Sequence, residues 1–323
     1  MSEKHKVSTG KANRVKLCTR KVEDIVPKKD MSTRELLEML ESAGGFTAKK
    51  LGTAYKILME MLADPECTKF FSFPACIVST GTRGVIKEML ARKMVDVVIT
   101  TCGTLDHDLA RIWKNYYHGD FNLDDRFLHQ QNVYRLGNIL IPTESYGTIL
   151  EEKLQPILEE IYSAGISEIS TKEFVWELGK RIDDKNSIIY WAQRNKIPVF
   201  IPGITDGAVG SQIWLFWQTH RDFSINLLKD EQELAEIVFT AKKTGALMVG
   251  GGISKHHTIW WNQFREGLDY AVYITTAVEY DGSLSGAQLR EAISWGKVRE
   301  NAKQITVEGD ATVLLPLLVS ALI

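Results

Sequence analysis

The strongest constraint on the fold is a set of short, almost continuously apolar runs separated by stretches long enough for helices. They are Val95–Thr101, Ile197–Ile201, Ala246–Gly250 and Tyr270–Thr275, with Asn138–Ile141 as a fifth. A strand covered on one face alternates apolar and polar residues, whereas one buried on both faces does not. The spacing predicts an α/β fold: a doubly wound, mostly parallel sheet flanked by helices. Ahead of it, Ser32 with Glu35 three residues later is a capping-box pairing that starts a helix, which Gly44-Gly45 stops. Leu51 to Leu62 repeats helical spacing through Tyr55, Leu58, Met59 and Met61, so an N-terminal helical elaboration precedes the sheet. With no repeat, Gly/Ser linker or low-complexity block, residues 25–323 read as one domain behind a basic extension over 1–24.

Composition removes several classes. The 323 residues carry 39 Lys plus Arg against 41 Asp plus Glu, a net charge of −2, with 44% hydrophobic residues. That excludes a disordered chain, a collagen and a polybasic nucleic-acid binder. The longest apolar stretch, Ala311–Ile323, is too short and is interrupted by Pro316, so no membrane span is expected. Lys4, Lys6, Lys11, Arg14, Lys16, Arg20 and Lys21 stand against Glu3 without the apolar core of a secretory signal, which reads as a basic arm. Cys18, Cys67, Cys76 and Cys102 form no C-x-x-C, and a reduced, cytoplasmic protein is the simplest reading.

Function in such a sheet concentrates where strands end, because backbone groups and helix N-termini converge there. The run at 95–101 exits into Thr101-Cys-Gly-Thr-Leu-Asp-His107, and that at 197–201 into Pro202-Gly-Ile-Thr-Asp-Gly207. The next two exit into Gly250-Gly-Gly-Ile-Ser-Lys-His-His257 and Thr276-Ala-Val-Glu-Tyr-Asp-Gly-Ser283. At any single exit, glycines turning the chain and acids capping the next helix are the commoner explanation. Four such exits in one sheet, carrying Asp106, Asp206, Glu279 and Asp281, favour a rim for a nucleotide-like ligand and a cationic co-substrate. The G-x-G-x-x-G fingerprint is absent. His256 and His257 are adjacent, diverge in direction and lack a third clustered ligand, so no metal is expected. His107, between Asp106 and Asp108, reads equally as a polarised or a surface histidine. In Ser294-Trp-Gly-Lys297 the lysine stands beside an indole that can shield its amine for attack on an imine or carbonyl, although a solvent-facing lysine is the commoner outcome of that string.

Several strings taken together resemble the deoxyhypusine synthase family. They are Asp281-Gly-Ser, Glu291-Ala-Ile-Ser-Trp-Gly-Lys297, Gly250-Gly-Gly-Ile-Ser-Lys-His-His257, Tyr270-Ala-Val-Tyr-Ile-Thr-Thr-Ala277, Tyr190-Trp-Ala-Gln193 and Thr205-Asp-Gly207. The similarity runs from about residue 25 to the C-terminus. It implies a Rossmann-like, NAD-binding subunit of a homotetramer with sites at dimer interfaces. It also implies transfer of the aminobutyl group of spermidine to one lysine of the hypusine-bearing translation factor, with NAD taking up a hydride and returning it. By that resemblance Lys297 is the nucleophile, and Trp295, Glu291, His256, Asp106 and Ser283 contact the polyamine. Ser79, Thr80, Thr101, Cys102, Gly103, Asp206, Gly251, Thr276, Ala277, Asp310 and Ala311 hold NAD.

The chain departs from the spermidine-using pattern at Leu284 and Ser211, each in place of an acid, and at Asp106-His107, in place of a pair of acids. It is more similar to the archaeal branch. Transfer to a free amine, agmatine as donor, and a non-catalytic NAD-binding relative are the competing readings. The lysine in its Ser-Trp-Gly setting argues against the last.

Overall fold

The computed structural model describes residues 19–323. Most of the expected basic extension, and Cys18 with it, therefore lies outside the described residues. Two helices come first, α1 (Thr33–Ser42) and α2 (Phe46–Ala63). Ser32 and Glu35 form the expected capping box, each side chain accepting from the other residue's backbone N–H. Glu41 on α1 is buried, and the Arg20 guanidinium and the Lys56 ammonium both donate to its carboxylate. Those hydrogen bonds hold Glu41 well below the usual carboxylate range, at about 2.

Six parallel strands form the central sheet: β1 (Cys67–Ser72), β2 (Val97–Ile99), β3 (Val199–Phe200), β4 (Lys243–Val249), β5 (Leu268–Thr275) and β6 (Val298–Glu308). Their spatial order is β3-β2-β1-β4-β5-β6. That is the order of doubly wound dinucleotide-binding sheets, in which winding reverses between the first and fourth strands. Alternate residues feed two separate cores: Phe71, Val98, Leu247 and Val272 one face, Phe70, Val97, Ala246 and Ala271 the other. The α/β plan with a parallel sheet flanked by helices is thus as expected.

The details differ in three places. The run 95–101 contributes only three strand residues, because its ends belong to the turns that lead in and out. Asn138–Ile141 does not join the parallel sheet. Ile139–Pro142 pairs antiparallel with Val133–Leu136 and with Tyr117–His118 in a small side sheet. Only Gly137 and Asn138 separate it from the preceding strand, and so short a link closes a hairpin, whereas a parallel crossover needs a dozen residues or more. Finally, β1 and β6 escape the apolar-run criterion. β1 carries Thr68 and Lys69, and β6 is an edge strand whose Glu300, Asn301 and Lys303 face solvent. Among the described residues no helix is long and apolar enough to cross a membrane.

A buried carboxylate locks the helical layer beside β1 and β2. Fully buried Asp108 lies on α3 (Gly103–Trp113) and accepts from Arg83 Nε (2.7 Å), Ser187 Oγ (2.7 Å) and the backbone N–H groups of Ile188 and Ile189 (both 3.1 Å). Removing it strands a buried guanidinium and two helix-terminal donors. Asp108→Ala should therefore cost about 3–5 kcal/mol in denaturant unfolding. Glu41 makes a pH-dependent contribution. Its folded value is depressed, so the stabilisation is complete above its unfolded value and is lost as pH falls towards about 2. Glu41→Gln should lower Tm at neutral pH, with the gap to the unsubstituted protein closing as pH falls towards about 2.

Candidate active site

Because all six strands run in parallel, their carboxyl ends share one edge. A crevice of about 630 Å³ opens there, where the winding reverses. Cys76, Ile77 and Thr80 beyond β1 share the crevice with Val249, the last residue of β4, and Gly250 after it, and Thr276 follows β5. The N-terminus of α7 (Ala311–Leu322) closes it, where Asp310 caps the helix by accepting from Thr312 N at 2.6 Å. Phe121, Leu136 and Asn138 of the hairpin insertion form the remaining wall. The rest of the lining includes Pro74, His118, Ile274, Thr275 and Gly309.

The expected cofactor residues divide accordingly. Thr80, Thr276, Asp310 and Ala311 line the crevice. Ser79 is buried, its hydroxyl donating to Cys76 O at 2.7 Å, and Thr101 Oγ1 accepts from Ala75 N at 3.1 Å. Gly103 backs onto Ala75, whose Cβ would stand 2.9 Å from an added Cβ. Ala277 donates its N–H to Thr275 Oγ1 at 3.1 Å. Asp206 is exposed on the loop after β3. Cys102 is fully buried, and that burial, reinforced by Asp106, pushes its thiol far up.

Asp106 is not among the residues of the amine cavity described next. It is 1% exposed, and its oxygens accept from Ala208 N (2.9 Å), Val209 N (2.8 Å) and Tyr146 Oη (2.7 Å). It thereby caps α4 (Ala208–Trp217) from the neighbouring β2 exit. Burial raises its carboxyl, and the donors oppose that rise. His107 is buried with Nδ1 3.0 Å from Tyr116 Oη, and burial holds it at about 4, hence neutral. His107 is therefore not a surface histidine, and its Nδ1 partner is a phenol and not one of the flanking acids.

A second cavity, about 180 Å³, lies between α5 (Gly252–Gln263) and the short helix α6 (Leu289–Ser294). Lys297, Lys255, His256, Leu284, Glu291 and Trp295 line it. Lys297 follows α6 after Gly296, whose φ of 66° reverses the chain so that the side chain turns inward. The residue is 8% exposed, with Nζ 5.2 Å from the Trp295 ring centroid and 5.6 Å from that of Trp260. Among the described residues no carboxylate pairs with it. The rival Lys255 is committed: Nζ donates to Leu284 O (2.8 Å) and Ala287 O (2.7 Å).

His256 stacks on Trp260 at 5.7 Å, and burial, then the Lys297 charge, hold it below its ordinary value. His257 turns the other way, its Nε2 3.2 Å from Glu231, and burial holds it at about 4. The two histidines therefore diverge, as their adjacency predicts. Ser283 is exposed on the loop and does not line the cavity; its N–H donates to Asp281 Oδ1 at 2.6 Å. Trp260 lies outside every motif that singles out the site. Its one signal in the sequence is the i, i+4 spacing from His256 on one helix face.

A crevice at the carboxyl edge of the sheet and a separate cavity lined by a buried lysine are the two candidate spaces of this α/β protein. A family profile described as deoxyhypusine synthase matches residues 35–322. Among relatives named "probable deoxyhypusine synthase", that of Picrophilus torridus is 59% identical over 308 residues, covering 95% of this chain and 98% of its own length. That of Thermoplasma acidophilum is 56% identical, covering 95% and 99%. A solved structure, "a putative deoxyhypusine synthase from Entamoeba histolytica", shares the fold with a TM-score of 0.63 at 19% identity, covering 91% of this chain and 93% of that one. The chain belongs to the deoxyhypusine synthase family, and it is a transferase.

Between the two spaces, Gly251 lies against Ser285. An added Cβ would stand 2.0 Å from Ser285 Oγ and 2.4 Å from its Cα, so the backbone itself would have to move. Gly251→Ala should shift the loop by an ångström or so and lower turnover by about 10²-fold with the fold retained by circular dichroism.

Proposed function

We propose that this chain is a deoxyhypusine synthase that moves the aminobutyl group of spermidine to a specific lysine of the hypusine-bearing translation factor. The observation that carries the reading is Lys297: buried, with no acid partner among the described residues, flanked by two indoles, and lining a cavity with Glu291 and Trp295. A buried lysine that forms no ion pair is a good candidate for imine chemistry.

The crevice fits NAD. Its lining joins the capped N-terminus of α7 and the Gly250, Thr276 and Gly309 segments, which favour a pyrophosphate even without a glycine fingerprint, to apolar Ile77, Val249 and Ile274. Thr80, Thr276, Asp310 and Ala311 would contact it directly, while Ser79, Thr101, Gly103 and Gly251 would shape the loops behind. Bound NAD supplies a hydride acceptor for the amine and later gives the hydride back. Within the cavity, Trp295 receives the apolar stem, with Trp260 on the other side of Lys297 Nζ, and Glu291 faces the cationic end. Lys297 adds to the donor imine, diaminopropane departs, and the aminobutyl group is held as an imine on Lys297 Nζ. The acceptor lysine then displaces Lys297 Nζ, which leaves as the free amine, and the factor carries the imine that is to be reduced.

The acids that could replace those missing at Ser211 and Leu284 are mostly engaged elsewhere. Asp106 caps α4, Glu279 pairs with Arg290 and Asp281 accepts from Ser283 N, which leaves Glu291 in the cavity. One carboxylate beside two indoles still suits a slender polyamine, and spermidine is our reading of the donor. Agmatine is the alternative, since one carboxylate can hold its guanidinium bidentately. Trp295 is 66% exposed and Glu291 is exposed, which supports a second copy covering the cavity in a homotetramer with sites at dimer interfaces. We read residues 25–323 as one domain working in the cytoplasm, with no nucleic acid or membrane partner.

Borohydride added during turnover with labelled spermidine, NAD and the factor should fix an aminobutyl group on Lys297, and Lys297→Ala should abolish both the adduct and labelling of the factor. An adduct mapped to Lys255, or turnover without NAD, would overturn the mechanism. A kcat/KM for agmatine about tenfold above that for spermidine, about 1.4 kcal/mol, would replace the donor.

A further inference from the structure

The loop from Asp281 to Gln288 is the partition between the two spaces. On one side Ser285 presses on Gly251 beside the crevice; on the other, Leu284, Ala287 and Gln288 line the Lys297 cavity. The loop belongs to no strand or long helix, so its inward carbonyls need partners from outside. Buried side chains provide them. Tyr273 Oη donates to Ser285 O at 2.6 Å and Thr275 Oγ1 to the same oxygen at 2.9 Å. Lys255 Nζ donates to Leu284 O and Ala287 O at 2.8 and 2.7 Å.

We propose that Lys255 is a positioning residue for hydride transfer, its ammonium gripping two loop carbonyls so that the partition between cofactor crevice and Lys297 cavity holds the separation the reaction needs. The inference rests on the functional reading above. A lysine suits the task because it offers three donors and no acceptor, and its charge strengthens both bonds. The cation lies 3.8 Å over the Tyr273 ring, which stabilises it where no carboxylate pairs with it.

The charged and titratable groups facing Lys255 are Glu291 from α6, Lys297 beyond it, His256 on its own helix and Tyr273 beneath. Burial, chiefly, brings Lys255 down to about 8; Glu291 opposes that fall and Lys297 adds to it. As pH rises through that value the ammonium loses its proton and the grip weakens. His256, held below its ordinary value, is neutral throughout that window.

Two measurements on the full chain separate this role from simple support of the fold. Reductive trapping with propanal and borohydride, which expels water to form the imine and then reduces it, reads the cavity amine when the adduct on Lys297 is quantified by peptide mapping. Spermidine-dependent reduction of NAD reads crevice and cavity together. Lys255→Met should cut NAD reduction by about tenfold or more while propanal trapping stays within about twofold. Lys255→Gln, whose amide can still donate to both carbonyls, should recover part of the loss. Lys255→Arg should also recover rate, and should remove the decline expected above about pH 8 in the unsubstituted protein. Unchanged NAD reduction in Lys255→Met, or equal loss of both signals with circular dichroism retained, would overturn the proposal. If Lys255→Met does not fold, Lys255→Gln and Lys255→Arg carry the test, and failure of Lys255→Arg to extend the pH profile overturns it. Absence of NAD reduction in the unsubstituted protein would instead remove the functional reading, and this inference with it.

Discussion

Parallel pairing of six strands is the constraint on which the site depends. It forces every carboxyl end to one edge and every crossover through a helix, so loops from distant parts of the chain meet without any local signal that they will. The reversal between β1 and β4 parts two of those loops and leaves the crevice. Neither loop encodes a pocket. The space between them is a property of strand order.

Polar groups buried behind that edge keep the loops in place. Asp106 and Asp108, two residues apart on α3, face different neighbours, and each terminates another helix by accepting its free N–H groups. Lys255 does the converse for the carbonyls of the partition loop. In each case a side chain from one element satisfies backbone from another, so an error in one loop is felt in the next. Such groups are costly to bury unless fully paired, and pairing is what makes the loop positions unique.

The amine cavity follows another rule. Its lysine has aromatic faces where an ordinary lysine has a carboxylate, which favours shielding and reactivity over stability. Trp295 belongs to the string that carries Lys297, whereas Trp260 comes from α5, 35 residues earlier in the chain, and is joined to the motif only by packing. Asp106 shows the reverse case. Its position after a strand resembles a ligand contact, yet backbone donors from α4 occupy its oxygens. A sequence displays a carboxylate but not which donors will reach it.

The alternation of apolar runs and helical stretches determined the α/β class, because strands covered on both faces must be continuously apolar, and the strings around Lys297 and Gly250-Gly-Gly252 determined the family. Local chemistry was legible too: the Ser32 cap and the divergence of His256 and His257 depend only on near neighbours. Tertiary structure decided the rest. It made Ile139–Pro142 a hairpin outside the main sheet, made polar β1 the central strand of the winding, and made β6 an edge. It also committed Lys255 to carbonyls and left Lys297 free. The reason is physical: strand order, burial and hydrogen-bond partners arise between residues far apart in the chain, where periodicity and spacing carry no information.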